Sequence, residues 1–581
     1  MPSDNSTFSD HILDRIFSWG VDTLFIIPGA HVNFFLNKAA KDKRFKIVMA
    51  MHEQGAGYMA DGYARMSEKA GVAVTINGPG ATNLTTAAVT AKAEHSQVLF
   101  LTGDSPQMLN GYGAFQSSEA SGSNTGEIMK AAIEYTFNVE TPHDLQIALS
   151  EFEKALKSNV QYPIHINLPC DVAASKYKVE EKSMMSFDMD IEEELQESFE
   201  WLNEIPIRTG EKVALLVGDE VKRVSDRKAI ADFSSKYSIP VAVTYAAKNF
   251  EEHLQNELSL GIFGYAGSKE AHAKILDPQL DTLFVFGAVL NERNTCSWDP
   301  DFFHANRKIL RFSYSNKTAK KYPCEVYDTV LKTDIKNALS HIERRWSLKP
   351  DSSEIVVESN HNFEPCTPSM KRNSERMSMT EVIKIMNTKI SEDALFFVDS
   401  GEHRVYAGFF WAPRINGGFY SAAHTAPMGW AICAAIGASF ARPNRKMWVL
   451  TGDGCMQMHG LEISVAVRYN CQVIFIVSNN KAYGRVGNYY KDETQEIKQM
   501  LSELHPINWV DFAKSFNANA MKATNEIELE EAIELAEKCN GPFVIEIDTL
   551  YCEDYSFENA VFSSSSTKFI EKWRQRQNDK V

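Results

Sequence analysis

The stretch Lys446-Met-Trp-Val-Leu-Thr-Gly-Asp-Gly454 ends an apolar run in a Gly-Asp-Gly turn, and Gln472-Val-Ile-Phe-Ile-Val-Ser-Asn-Asn480 ends a second run in paired asparagines. Apolar runs of this length without polar alternation read as parallel strands buried on both faces. Asp453 and Asn480 then stand at the carboxyl ends of two such strands. A hard cation such as Mg²⁺ takes oxygen ligands and shares them with phosphates. Gly452 and Gly454 let the backbone approach a phosphate closely. Residues 455–469 read as a helix whose N-terminus points at the same spot and favours an anion.

Working outward, short apolar runs alternate with amphipathic stretches along the whole chain. Strands are expected at 23–28, 45–50, 71–76, 97–102 and 163–168, then at 213–217, 239–245, 282–288 and 307–313, and finally at 394–398, 446–451, 471–478 and 542–548. Three groups of strands imply an α/β chain of three doubly wound domains with mainly parallel sheets. The expected spans are 1–178, 200–346 and 376–552, with a tail at 553–581. Residues 178–200 are acidic and rich in Met and Ser; residues 347–378 are rich in Ser, Pro, Asn and charge. Both read as linkers. The first and last thirds share a strand–turn–helix rhythm, a hint of two related domains.

Composition sets outer limits. A chain of 581 residues exceeds one hydrophobic core. Its net charge of −16 disfavours nucleic acid and membrane surfaces as partners, because both call for a Lys/Arg face. The nine cysteines form no CxxC pair and their number is odd, which argues for a reduced, cytoplasmic protein without structural zinc. No run is long and apolar enough to span a membrane; the best candidate, Ala422–Ala441, contains His424 and Pro427 and reads as a buried helix.

The Gly452–Asn480 constellation resembles the cofactor signature of the thiamine-diphosphate-dependent enzymes, and the similarity continues through Cys455-Met-Gln-Met-His-Gly-Leu-Glu-Ile-Ser. The resemblance implies that Asp453, Asn480 and the Ala482 carbonyl hold Mg²⁺. A second stretch, His52-Glu53-Gln-Gly-Ala-Gly-Tyr-Met-Ala-Asp-Gly-Tyr-Ala-Arg65, is similar to the segment that carries the family's glutamate. In that role Glu53 contacts N1′ of the aminopyrimidine and favours the imino tautomer that activates thiazolium C2. Gly401-Glu402-His403 resembles a Gly-Gln-His segment at the diphosphate, with Glu402 replacing the usual Gln. Ala426-Pro-Met428-Gly resembles the segment whose bulky residue, here Met428, props the cofactor in its bent form. Gly452, Gly454, Cys455 and Tyr483 complete the implied cofactor contacts.

Asn77-Gly-Pro-Gly-Ala-Thr-Asn83 and Gly113-Ala-Phe115-Gln116 resemble acetolactate-synthase-like segments near the reaction pocket, and His31 falls where the family often places specificity residues. Arg293 resembles an arginine that helps select a 2-oxo acid as second substrate, a role suited to a guanidinium. Arg485 and Tyr489 depart from the methionine and tryptophan of acetolactate synthases, so the acceptor pocket is expected to differ. The adjacent-histidine pair of pyruvate decarboxylases is missing. The middle domain lacks a clean GxGxxG after its first strand, so a flavin is compatible with the resemblance but unsupported by the motif.

The resemblance implies decarboxylation of a 2-oxo acid and carboligation of the enamine to a second carbonyl compound. Plain decarboxylation with aldehyde release is the alternative, and a non-catalytic cofactor-binding protein is a rival that the intact Glu53, Asp453 and Asn480 oppose. The implied cofactors are thiamine diphosphate and Mg²⁺. The implied assembly is a homodimer or homotetramer in which Glu53 and Asp453 serving one cofactor come from different chains.

Overall fold

The structure, a computed structural model, describes residues 6–177, 210–315, 326–346 and 376–550, apart from residues 255, 332–333, 413, 415–416, 488–489 and 491–492, and also Phe199, Leu202 and Ile205. The expected linkers lie almost wholly outside the described residues, as do the tail and Tyr489.

The chain forms three six-stranded sheets in which every pairing is parallel. The first contains β1 (Thr23–Ile26), β2 (Lys46–Met49), β3 (Gly71–Ile76), β4 (Val98–Asp104), β5 (Thr136–Asn138) and β6 (Ile164–Pro169), in the order β2-β1-β3-β4-β6-β5. The second contains β7 (Val213–Val217), β8 (Val241–Val243), β9 (Ser259–Ile262), β10 (Thr282–Phe286), β11 (Lys308–Ser313) and β12 (Val326–Val330), in the order β12-β11-β10-β7-β8-β9. The third contains β13 (Leu395–Val398), β14 (Gly418–Tyr420), β15 (Met447–Gly452), β16 (Val473–Asn479), β17 (Asn519–Ala523) and β18 (Phe543–Asp548), in the order β14-β13-β15-β16-β18-β17. Numbered within their own sheets, the first and third share the order 2-1-3-4-6-5. The rhythm seen in the sequence therefore reflects two domains of one topology. The middle sheet runs 3-2-1-4-5-6, the order of dinucleotide-binding sheets.

All the expected strands form. The sequence reading missed β5, β9, β12, β14 and β17, and each of these lies at a sheet edge. Edge strands are short and bury less, so their apolar signal is weak: β5 is Thr-Phe-Asn and β17 is Asn-Ala-Met-Lys-Ala. The helix expected over 455–469 is broken. It runs Asp453–His459, tightens into a 3₁₀ turn over Gly460–Glu462 and resumes at Ile463–Arg468.

By contacts the chain divides into two compact units rather than three. One joins the first and third sheets; the other is built on the middle sheet. Within the first unit, the helix Glu53–Ser67 crosses the helix Trp430–Ala441. A Cβ on Gly62 would sit 2.0 Å from the Ala434 carbonyl, and one on Gly437 would sit 1.9 Å from the Met59 carbonyl, so the backbones touch. Both helices are buried almost all round, which explains their near-continuous small and apolar composition. The one strongly polar cluster in this crossing is paired: Asp61 binds Arg65 at 2.8 Å and accepts from Trp430 Nε1 at 2.7 Å.

Candidate active site

The third sheet builds one half of the candidate site at the carboxyl ends of β13, β15 and β16. Asp453 follows β15 and is 4% exposed. Its Oδ1 accepts from the Gly454 amide at 2.8 Å, while Oδ2 is buried with no partner. Burial pushes the Asp453 carboxyl up to about 6. Such an oxygen costs stability unless something pairs it. Asn480, after β16, is likewise buried, and its Oδ1 accepts from the Ala482 amide at 3.0 Å. A carboxylate oxygen in need of a partner, an amide oxygen and a main-chain carbonyl at Ala482 form the all-oxygen donor set that Mg²⁺ prefers. The residues present fit the ion. The preceding Asn479 serves the fold instead, its Nδ2 donating to Glu546 Oε1 at 2.9 Å.

Glycines shape the space around this set. A Cβ on Gly454 would meet Tyr483 Cε1 at 2.6 Å and Met428 Cε at 3.1 Å, so these three residues converge. The His403 ring lies against Gly401 and Gly452, where added Cβ atoms would stand 2.5 Å and 3.2 Å from His403 Cε1. His403 Nε2 is buried without a partner, and burial holds its imidazole down to about 4, hence neutral. Cys455 is buried and its Sγ donates to the Ser400 carbonyl at 3.1 Å; burial raises its thiol well above the ordinary range. Glu402 is buried beside His403. Ala426 adopts a left-handed backbone (φ +51°) just before Met428.

Sequence reasoning missed Asp399, which ties these segments together. Its Oδ1 accepts from the Ser400 and Gly429 amides at 2.9 Å, and its Oδ2 accepts from Thr451 Oγ1 at 3.0 Å. One buried carboxylate thus links the Met428 segment to the strand that ends in Asp453. Its position directly after the apolar run of β13 was the available signal.

The first sheet supplies the other half. Glu53 opens its helix directly after β2, and its Oε2 accepts from Asn83 Nδ2 at 2.9 Å. Asn83 lies in the stretch singled out as pocket-forming, but its bond to Glu53 was not foreseen. His31 follows β1, and its Nδ1 is buried without a partner. Gln116 adopts a left-handed backbone (φ +56°) and packs over Gly78. Phe115, in contrast, is 81% exposed.

A cross-domain contact within this unit was also missed. Glu462 Oε1 accepts from the Met51 and His52 amides at 3.2 Å and 3.1 Å, and Oε2 accepts from Met51 at 3.1 Å. Glu462 therefore anchors the two residues that precede the Glu53 helix, whose N-cap is His52, with Nδ1 accepting from the Gln54 amide at 3.1 Å. Glu462 Oε1 fills the space that a side chain at Gly55 would need. Arg485 is half-buried in the short helix Gly484–Gly487, whose amides bond back to the Tyr483 carbonyl. Arg293 belongs to the second unit, where its guanidinium lies 4.8 Å from the Tyr265 ring centre.

Three family models match the chain in order: the N-terminal TPP binding domain of the thiamine pyrophosphate enzymes over residues 6–122, their central domain over 206–342 and their C-terminal TPP binding domain over 399–547. The chain belongs to the thiamine pyrophosphate enzymes. Thiamine pyrophosphate is thiamine diphosphate, and this enzyme is of the acetolactate-synthase-like branch. A probable acetolactate synthase large subunit of Methanocaldococcus jannaschii is 25% identical over 93% of this chain and 91% of its own length. The acetolactate synthase large subunit of Lactococcus lactis is 24% identical over 93% of this chain and 92% of its own. Among solved structures, a thiamine diphosphate-dependent 4-hydroxybenzoylformate decarboxylase from Rhodococcus jostii RHA1 superposes with a TM-score of 0.76 at 18% identity. It covers 94% of this enzyme and 99% of its own chain, and at that identity it speaks to the fold alone. Among the described residues, no helix is long and apolar enough to cross a membrane.

Proposed function

We propose that this thiamine pyrophosphate enzyme decarboxylates a 2-oxo acid with Mg²⁺ as its metal and joins the remaining fragment to a second carbonyl compound. The observation that carries the cofactor half is the buried, unpartnered Asp453 Oδ2 beside Asn480. The carboligation half draws support from the acetolactate synthase relatives.

Bound in this site, thiamine diphosphate supplies the electron sink for loss of CO₂. Asp453, Asn480 and the Ala482 carbonyl hold the metal against the diphosphate. Gly452 and Gly454 keep that approach open, and Met428 with Tyr483 shapes the adjoining wall. Glu53 holds a proton at the aminopyrimidine N1′, and Asn83 fixes the carboxyl that does so. Arg485 offers charge to an anionic acceptor.

The working assembly in this reading is at least a homodimer, with Glu53 of one chain and Asp453 of another on one cofactor. The loop after β4 is compatible with burial against a second copy: Met108, Tyr112 and Phe115 are 74%, 84% and 81% exposed. Full activity in a monomer at high dilution, followed by sedimentation, would exclude that assembly.

The deciding experiment is a donor-by-acceptor screen with thiamine diphosphate and Mg²⁺, read by mass spectrometry. Coupled hydroxy-ketone products are expected. Aldehyde as the sole product across a broad acceptor panel would leave plain decarboxylation as the activity.

A further inference from the structure

The middle sheet has the strand order of dinucleotide-binding domains, and such sheets bind at the crevice where strand order reverses, outside the carboxyl ends of the strands. Here the reversal falls between β7 and β10. The turn after β7 reads Gly218-Asp219-Glu220-Val221-Lys222-Arg223 and leads into the helix Val224–Tyr237. In a G-x-G-x-x-G turn the first glycine makes the bend, the second admits the pyrophosphate and the third lets helix and strand approach. This chain keeps only the first. Glu220 stands at the second position and Arg223 at the third.

The crevice is closed by the chain itself. The Gly218 amide donates to the Phe286 carbonyl at 2.8 Å, and the Glu220 amide donates to the Gly287 carbonyl at 3.1 Å. A Cβ on Gly218 would lie 2.3 Å from the Gly287 carbonyl oxygen. On the other side Gly287, with φ +62°, turns close to Glu220 Cβ and Val221. The Glu220 side chain is 2% exposed. Its Oε2 accepts from Ser313 Oγ at 2.7 Å and from the Tyr314 amide at 2.9 Å. Arg311, the buried cation behind Ser313, is taken by Asp328 through two bonds of 2.9 Å and 3.0 Å. Asp226, in the first turn of the following helix, accepts from Tyr314 Oη at 2.7 Å.

Acceptors already outnumber donors here: Glu220 Oε1 and Asp226 Oδ1 are both buried without partners. Burial raises both carboxyl groups above their ordinary range. A pyrophosphate would add charge of the same sign to a space that has no room for it. Lys222 and the exposed Arg223 lie at the helix entrance, but neither removes the carboxylate from the second glycine's place.

We propose that this domain is a sealed scaffold: Glu220 occupies, from within the chain, the position a dinucleotide's pyrophosphate takes, and the enzyme works without a flavin. A flavin does not fit the residues present, so the chemistry proceeds without a dinucleotide redox group.

The test uses the full-length enzyme purified without added cofactors. After denaturation, the supernatant is scanned for flavin absorbance and fluorescence and assayed in parallel for thiamine diphosphate. The expected result is no flavin, together with turnover that depends on thiamine diphosphate and Mg²⁺ and is unchanged by FAD. Titration of the holoenzyme with FAD, NAD and ADP, followed by intrinsic fluorescence, is expected to show no saturable binding. Stoichiometric flavin, FAD-stimulated turnover or saturable binding of any of the three would overturn the proposal. Because thiamine dependence is read separately, a failure of the proposed reaction is told apart from a failure of this inference.

Discussion

Two turns of this enzyme begin with the same dipeptide at the end of a central parallel strand. Gly452-Asp453-Gly454 starts on the last residue of β15, and Gly218-Asp219-Glu220 follows β7. In the first, glycine at the third position lets side chains rather than main chain pack on the turn, Tyr483 and Met428 standing 2.6 Å and 3.1 Å from where a Gly454 Cβ would be, and Asp453 Oδ2 is left without a partner. In the second, a carboxylate at the third position turns inward, and main chain fills the crevice to within 2.3 Å of where a Gly218 side chain would begin. Strand order alone would assign a nucleotide site to the wrong domain, because the middle sheet has the dinucleotide order. Which crevice serves a phosphate depends on the residue after the aspartate and on the neighbours that occupy the space.

The largest break in that contrast comes from Asp453→Ala. It removes the unpartnered carboxylate oxygen beside Asn480, so the loss should exceed the roughly 10–100-fold cost of losing an outer-shell partner of a metal site. The stabilisation that a saturating ligand confers, about 2.7 kcal/mol at a hundred times its Kd, should vanish as well. Thermal melts with and without thiamine diphosphate and Mg²⁺ read this directly, and an undiminished cofactor shift would remove Asp453 from the metal site. Glu53→Gln comes next. The variant keeps its shape but cannot share a carboxyl proton, and kcat should fall by about 10²–10⁴-fold with cofactor binding retained. Retained turnover would contradict the role assigned to Glu53. Gly454→Ala is milder. Its Cβ meets the half-buried Tyr483 ring, which must give way. Cofactor affinity should weaken by about tenfold, or about 1.4 kcal/mol, with kcat at saturation nearly unchanged. An unchanged affinity would mean that the space at Gly454 does not serve the cofactor.

How much of this was legible depended on where the signal lay. The central strands announce themselves because both faces are buried: β16 is Val-Ile-Phe-Ile-Val-Ser-Asn and is buried throughout. The edge strands lack that pressure, and their composition blends into loops. Asp453, Asn480 and Glu53 were legible because the chemistry of a diphosphate, a hard cation and a ring nitrogen restricts the residue types. Asp399, Asn83 and Glu462 were not, because each acts on another residue and the sequence does not record who touches whom. Phe115 shows the converse: its segment was recognisable, yet in one chain it stands in solvent.

A different kind of test concerns Glu462 and compares the two halves of the site through the residue that joins them. Burial pushes the Glu462 carboxyl up to about 7 from an ordinary 4.5, opposed by its bonds to the Met51 and His52 amides. A carboxyl raised on folding favours the native state while protonated. That contribution is complete below about pH 4.5 and is lost as pH rises through about 7, a change on the order of 3 kcal/mol. The other titratable side chains clustered with it are Cys433 and His459. Burial holds the thiol far above this window. The imidazole, held at about 4 against an ordinary 6.5, contributes a slope of opposite sign that the wild type and a Glu462 variant share. Relative to the wild type, Glu462→Gln, which keeps an acceptor for the two amides, should therefore lose the component of the slope that makes stability decline with pH. Melting temperatures of both proteins across pH 5–7 measure it. Parallel slopes would mean that Glu462 is already ionised at pH 5, held so by the start of the Glu53 helix. The side chain would then act as a full charge rather than as a neutral acceptor.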